Sequence, residues 1–204
     1  MIFKNKFILA SASLSRYNVL KKNRLSFVKK IPKCNEEKLK KDMIRRLVHP
    51  KKISLELSRL KSQCVSKKIK NKLVVGSDTV ICFKGRLLSK AKNIKQAKSK
   101  ISLIAGNTHT LYSSASVFYN SKEIWNTTQK SKITIRSLSE EEINLYLKTA
   151  GPKVLTAVGC YQAELMGPNI IKEIKGDFYN VLGFPLFPFL DFLKKHKLKN
   201  HSST

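Results

Sequence analysis

The sequence predicts a mixed-sheet fold of the α/β or α+β class, and three observations carry that prediction. Short apolar runs of strand type, Phe7-Ile8-Leu9-Ala10 and Leu73-Val74-Val75, alternate along the chain with segments whose apolar residues recur at helical spacing, as at Ile53, Leu57, Leu60 and Cys64. From His109 to Arg136 the pattern switches to period two on both sides of a polar turn, the mark of a long antiparallel hairpin. Strands and helices interleave without a strict βαβ beat, so the sheet should be mixed rather than wholly parallel. With 204 residues, 42% of them hydrophobic, the chain can bury a real core, and no repeat or linker divides it. The expectation is one domain over residues 1–204, with a frayed tail from about 195 to 204.

Taken in order, the strand at Phe7 runs through Ser11-Ala12-Ser13 into a helix with Leu14, Tyr17 and Leu20 on its apolar side. Leu25 to Ile31 reads as a second strand and the polar stretch Pro32 to Asp42 as a loop. The helix from Ile53 puts Lys61 at the border of its buried face. Leu73-Val74-Val75 and Val80-Ile81-Cys82-Phe83 read as strands separated by Gly76-Ser77-Asp78-Thr79, and Lys84-Gly85-Arg86 closes a hairpin. Ile94 to Ile104 is helical and ended by Gly106. Ser139 with Glu142 forms a capping box for a helix that Gly151-Pro152 stops. Asn169 to Ile174 is a further strand, and Val181 to Leu193, apolar on all sides, is a buried terminal helix with Pro185 near its first turn.

The formal charge is +28, from 41 Lys+Arg against 13 Asp+Glu, which invites a polyanion partner. Only seven of the 41 are Arg, the residue suited to bidentate phosphate and base-edge recognition, and the lysines are spread from Lys4 to Lys199. Compositional drift toward Lys therefore competes with a dedicated polyanion surface. Cys34, Cys64, Cys82 and Cys160 lack zinc spacing and read as buried thiols of a cytoplasmic protein. The apolar run after Lys6 is too short for a signal peptide. The longest one, Val181 to Leu190, falls far below the roughly 20 residues that cross a bilayer. No Walker loop, G-x-G-x-x-G, G-x-S-x-G or H-E-x-x-H occurs, which removes the familiar NTPase, dehydrogenase, esterase and zinc-protease classes.

Three groups of residues could carry chemistry. Ser11, Ser13 and Arg16 sit where a strand gives way to a helix N-terminus, either an anion site or ordinary capping by Ser13. Asp78 lies between two apolar runs in a chain with four aspartates, and reads either as a compensated buried acid or as a turn tip. With Glu36 and Glu164 it would give hard oxygen ligands suited to Mg²⁺ or Mn²⁺ bound together with phosphates. Lys61 and Lys90 are candidate neutralisers of phosphate charge, set against the ordinary reading of a solvated lysine. His109 reads as a structural core histidine, and Tyr112, Phe118 and Trp125 either pack or stack on a base.

In sequence order these pieces resemble the Maf family of nucleoside triphosphate pyrophosphatases across nearly the whole chain. Ile8 to Arg16 looks like the family's L-A-S-x-S-P-R-R, Asn35-Glu36-Glu37 like its D-E loop, and Leu57 to Lys61 like its L-A-x-x-K-A helix. Val75 to Val80 resembles its G-A/S-D-T/Q-V strand, Leu88-Ser89-Lys90 its G-K-P turn, and Ile104 to His109 its L-S-G-x-x-H. Leu138 to Ile143 resembles L-S-E-x-E-I, and Gly176 to Leu186 the closing G-x-x-x-N-V-x-G-L-P-L.

The resemblance implies a strongly twisted mixed sheet flanked by helices, with an active-site cleft between two lobes, as in Maf-like and ITPase-like proteins. It implies hydrolysis of a nucleoside triphosphate between the α and β phosphates, to the monophosphate and diphosphate, with a divalent cation, Mg²⁺ or Mn²⁺. Clearance of modified or non-standard nucleotides is the role it suggests. Asp78 would be the proton acceptor, Lys61 and Lys90 would assist, Ser11, Ser13 and Arg16 would bind phosphate, and Glu36, Asp78 and Glu164 would hold the metal. A cytoplasmic homodimer is the expected state, with no membrane partner and no need of nucleic acid. Leu14, Ser15, Ser89 and Ala91 depart from the family pattern, and Glu164 at the position of a family Gln resembles the branch with Glu there more than the thymidine/uridine branch. The competing reading is a basic nucleotide- or nucleic-acid-binding regulator without turnover, motivated by the +28 charge and the missing Arg at position 15.

Overall fold

The computed structural model describes residues 6–201, and side chains over 6–196. Its strands are β1 (Phe7–Ala10), β2 (Phe27–Lys30), β3 (Leu73–Phe83), β4 (Arg86–Leu88), β5 (Thr108–Tyr119), β6 (Lys122–Ile135) and β7 (Ile171–Lys175). They form a seven-stranded sheet in the order β2-β1-β3-β5-β6-β7, with β4 paired to β3. β1 runs parallel to β2 and β3, Ile8 standing opposite Val28 and Val74, whereas β3/β4 and β6/β7 are antiparallel. The helices are α1 (Leu14–Lys22), α2 (Glu36–Arg45), α3 (Pro50–Ser66), α4 (Ile94–Ile104), α5 (Glu140–Ala150), α6 (Phe178–Val181) and α7 (Leu186–His201). The chain thus adopts the expected mixed α/β class.

The hairpins turn through residues with positive φ. Lys84 and Gly85 lie at 46° and 77°, and Asn120 and Ser121 at 47° and 68°, the primed-turn geometry that matches strand twist.

By packing, the chain forms two compact units. The first comprises Met1–Thr79, Ser113–Gln129 and Gly183–Thr204, the second Val80–Tyr112 and Lys130–Leu182. In the first unit, β1 is buried along its whole length, and Phe7 and Phe184 both pack edge-on to Phe189. Trp125 stacks on Phe192, so it is a packing residue in this fold. Helix α3 approaches the sheet through a serine stripe, Ser54, Ser58, Ser62 and Ser66, all fully buried and spaced by four. Ser54 Oγ lies 2.6 Å from Ser114 Oγ, and Ser62 Oγ donates to the Ser116 carbonyl at 2.8 Å. The Gly76 amide donates to Ser62 Oγ at 2.7 Å, and a Cβ at Gly76 would come within 2.5 Å of the Ser58 carbonyl oxygen. Serine on the helix and glycine on the strand therefore let two backbones meet where any larger side chain would hold them apart.

In the second unit an apolar core of Ile81, Ile101, Ile104, Leu111, Ile133, Ile135 and Ile170 packs with α4 and α5. The capping box of α5 is complete: the Glu142 amide donates to Ser139 Oγ at 3.2 Å, and the Ser139 amide to Glu142 Oε2 at 2.7 Å.

The structure corrects several expectations. The polar stretch assigned as loop holds most of α2, whose short apolar side, Leu39 and Met43, buries only Met43; its start signals are Asn35 as N-cap and Glu36 and Glu37 in the first turn. The two strands around Asp78 are one strand, β3, because Gly76 is packed against α3 rather than turning. Leu14 is 67% exposed and Arg16 takes the buried side of α1. The terminal helix is broken at Gly183, whose φ of 96° leaves the helical region, so α6 ends before it and α7 starts after it. Helix α7 spans Leu186–His201, and residues 202–204 of the expected tail lie outside the described residues. Only Cys160 among the cysteines is buried; the other three are half-buried, since α3 and the segment before α2 leave Cys64 and Cys34 near the surface.

Candidate functional site

Within the first unit, β3 carries Asp78 two residues beyond the close approach at Gly76, and α3 carries Lys61 beside Ser62. That register brings them together. Lys61 Nζ donates to Asp78 Oδ1 at 2.6 Å and to the Ser77 carbonyl at 3.4 Å, and it lies 2.9 Å from Glu36 Oε2. Three acceptors match the three N–H groups of an ammonium. Exposure is graded across the group: the Lys61 side chain is 6% exposed, Asp78 13% and Glu36 40%. Glu36 opens α2, where Asn35 caps the helix by accepting from the Lys38 amide at 3.0 Å.

Arg16 adds a second buried cation. Its Nε donates to the Gly183 carbonyl at 2.8 Å, Nη1 to Ser11 Oγ at 3.3 Å and Nη2 to Thr79 Oγ1 at 3.1 Å. Burial lowers the Arg16 pKa from its ordinary value, and the nearby charges of Asp78 and then Glu36 act against that. The Gly183 carbonyl also accepts from Ser77 Oγ at 3.0 Å and Thr79 Oγ1 at 3.4 Å, so the segment before α7 is tied to both neighbours of Asp78. Ser11 is fully buried and accepts from the Ser13 amide at 3.2 Å. Ser13 is the N-cap of α1, accepting from the Arg16 amide at 3.4 Å, as its capping reading expects.

Ser11, Ser13, Arg16, Glu36, Lys61 and Asp78 thus all belong to the first unit. Lys90 and Glu164 belong to the second, Lys90 exposed beyond β4 and Glu164 exposed in a turn. Among the described residues no group of three or more His, Cys, Asp and Glu side chains is placed to hold a metal ion. The Glu36 and Asp78 carboxylates nonetheless converge on one positive charge, and their hard oxygens fit a magnesium-like cation that takes its remaining ligands from phosphate and water.

A family model described as Maf-like protein matches residues 6–196, which spans every side chain named above. The chain belongs to the Maf-like family. It is 33% identical over 188 residues to a protein of Caulobacter vibrioides named nucleoside triphosphate pyrophosphatase, covering 92% of this chain and 94% of that one. It is 34% identical over 183 residues to a Bartonella henselae protein named 7-methyl-GTP pyrophosphatase, covering 90% and 91%. A Pelagibacter ubique nucleoside triphosphate pyrophosphatase is 32% identical over 189 residues, covering 93% and 97%.

Seen as a Maf-like site, the cluster also contains Ser77, Thr79 and Gly183, which lie inside the sequence motifs but are not marked there as functional residues. The hydroxyls flanking Asp78 on one strand are the signal that could have found the first two. The carbonyl of Gly183 has none, since a backbone acceptor leaves no trace in residue type. No helix among the described residues is long and apolar enough to cross a membrane.

Proposed function

We infer that this protein is a nucleoside triphosphate pyrophosphatase, a hydrolase acting on anhydride bonds. The observation that carries the reading is the Lys61 ammonium held between Asp78 and Glu36, in a chain whose match to the Maf-like family covers 6–196. Water attacks the α phosphorus, its oxygen forms the new P–O bond, and the oxygen bridging the α and β phosphorus atoms leaves with diphosphate. Asp78 takes the proton of the attacking water. Lys61 binds its Oδ1, which fixes the carboxylate.

Arg16 and Lys61 supply positive charge fixed before the substrate arrives, so no reorganisation is needed as charge builds on the leaving diphosphate. Ser11 and Ser13 hold Arg16 and the start of α1, whose amides face the phosphates. Glu36 and Asp78 would hold Mg²⁺ or Mn²⁺, and that ion would draw charge from the phosphate oxygens. The protein acts as a homodimer in the cytoplasm.

The deciding experiment is a panel of canonical and modified nucleoside triphosphates, including 7-methyl-GTP because one relative bears that name, assayed for diphosphate with each metal. Diphosphate and the monophosphate as products support the reading, and the preferred base sets the specificity. Release of orthophosphate and a nucleoside diphosphate overturns it.

A further inference from the structure

One pair of reactive groups near the site has no part in the chemistry above. Cys34 and Cys64 are 30 residues apart in sequence, yet the fold sets their side chains beside one another. Cys64 Sγ also donates to the carbonyl of Lys33, the residue before Cys34, at 3.2 Å. Both are free and half-buried, and Cys34 lines an open depression formed by Pro32 to Glu37. Cys34 precedes Glu36 by two residues, and Cys64 stands one turn beyond Lys61 on α3.

We propose that Cys34 and Cys64 are a modification site, which a small-molecule disulfide such as oxidised glutathione converts to an intramolecular disulfide that fastens the Glu36 segment to α3. The Cys64 sulfur loses its proton to water and attacks the glutathione disulfide, whose S–S bond breaks and releases one glutathione. The Cys34 sulfur then attacks Cys64, losing its own proton and releasing the second. Two thiols are oxidised by two electrons and one disulfide is reduced to two thiols. The second step is intramolecular and is favoured by the proximity of the two side chains.

The consequence for turnover rests on the function proposed above. A link at Cys34 and Cys64 holds Glu36 on Lys61 and withdraws its carboxylate from a cation. Diphosphate release then falls about tenfold, the scale on which supporting contacts around a metal site are felt, and dithiothreitol restores it.

The experiment treats the whole protein with oxidised glutathione, alkylates remaining thiols, digests it without reduction and analyses the peptides by mass spectrometry. A linked Cys34–Cys64 peptide pair lacking two hydrogens is expected, reversed by dithiothreitol. Recovery of both cysteines in alkylated form, or only as separate glutathione adducts, overturns the proposal. Diphosphate release is followed in parallel: oxidation slows the wild type but not Cys34→Ser or Cys64→Ser, while a linked protein with undiminished turnover overturns the regulatory part. Absence of diphosphate release in the reduced protein counts against the proposed function alone, because the peptide readout still decides the disulfide.

Discussion

Helix α3 presents two cations two residues apart, each holding two carboxylates, and they differ chiefly in water. Lys61 binds Asp78 at 2.6 Å and Glu36 at 2.9 Å with its side chain 6% exposed. Arg59 binds Glu56 at 2.8 Å and Glu123 at 3.0 Å with its side chain 31% exposed. The geometries are alike, but the free energies are not. Around Arg59 solvent screens each charge, so the pairs are cheap to form and of little consequence to lose. Around Lys61 the ammonium and Asp78 have given up most of their water, and the buried ammonium persists because every N–H has an acceptor. A fold that needed only stability could fill that space with apolar side chains. Keeping charge there is the mark of chemistry, and the same helix supplies the control.

The largest expected effect is on turnover. Asp78→Asn keeps the shape and the contact with Lys61 but removes the proton acceptor, so kcat should fall by about 10³-fold, within the range for general base catalysis. Circular dichroism should stay near wild type, while the denaturation midpoint falls because the buried Lys61 keeps only Glu36 as a charged partner. Loss of activity that merely tracks unfolding would count against the assignment. Next comes stability. Lys61→Met leaves the Asp78 carboxylate without its partner and should cost about 4 kcal/mol in urea denaturation, somewhat less if Arg16 takes up part of the charge. The double variant Lys61→Met/Asp78→Leu should regain most of that loss while remaining inactive. If the double variant were no more stable than the single one, desolvated charge would not be the source of the cost.

How much of this is legible in the sequence depends on what each signal measures. Of the stripe Ile53, Leu57, Leu60 and Cys64 only the first two are buried; the buried face of α3 continues through Lys61 and Val65, so Lys61 lies deeper than its border position suggests. Asp78 can be read as buried or as a turn tip, because Gly76-Ser77 has turn chemistry and only the packing of Ser58 and Ser62 against Gly76 shows the strand to be continuous. Arg16 is assigned to phosphate from its place at a helix start. Its inward face is illegible, since the apolar pattern points Leu14 inward and a buried cation is visible only through its acceptors on distant segments. Helix α2 escapes detection for a related reason: hydrophobic periodicity detects burial, and α2 buries one side chain. The capping box at Ser139 is legible because it is local, encoded within four residues. The family resemblance rests on motifs in order and so is independent of all these local errors.

The second unit sharpens the contrast by burying a titratable group with no charge beside it. His109 lies in β5 with Nε2 2.6 Å from the Tyr161 hydroxyl, and both are buried. Burial holds the imidazole neutral, lowering its pKa from 6.5 to about 4, and drives the Tyr161 phenol up. The unfolded chain takes up the proton near pH 6.5 and the folded chain only near pH 4, so the unfolded state binds more protons between them. Stability from this site is therefore whole above pH 6.5 and declines as the pH falls toward 4, by at most about 3 kcal/mol. Denaturation of wild type and His109→Gln across that window should show a shallower decline in the variant. Equal slopes would mean that His109 does not resist protonation in the folded state.

The smallest expected effect returns to α3. Glu123→Gln removes one negative charge beside Arg59 while its amide oxygen can still accept and Glu56 remains, and the Arg59 pKa, raised chiefly by the hydrogen bond to Glu123, should move back toward its ordinary value. Because Glu123 is 25% exposed and Arg59 31%, the cost should stay below about 1 kcal/mol. In 1 M salt, where the screening length is about 3 Å, the difference from wild type should nearly vanish. The comparable substitution at the buried group should keep most of its cost in the same salt, since ions cannot enter between Lys61 and Asp78. If both groups responded to salt alike, burial would not be what separates them, and the case for Lys61 as part of a dry, preorganised site would lose its physical basis. If only Arg59 responded, then two ion-paired cations on one helix would be distinguished by solvent access alone, the condition under which fixed charge can act on a substrate without first being screened.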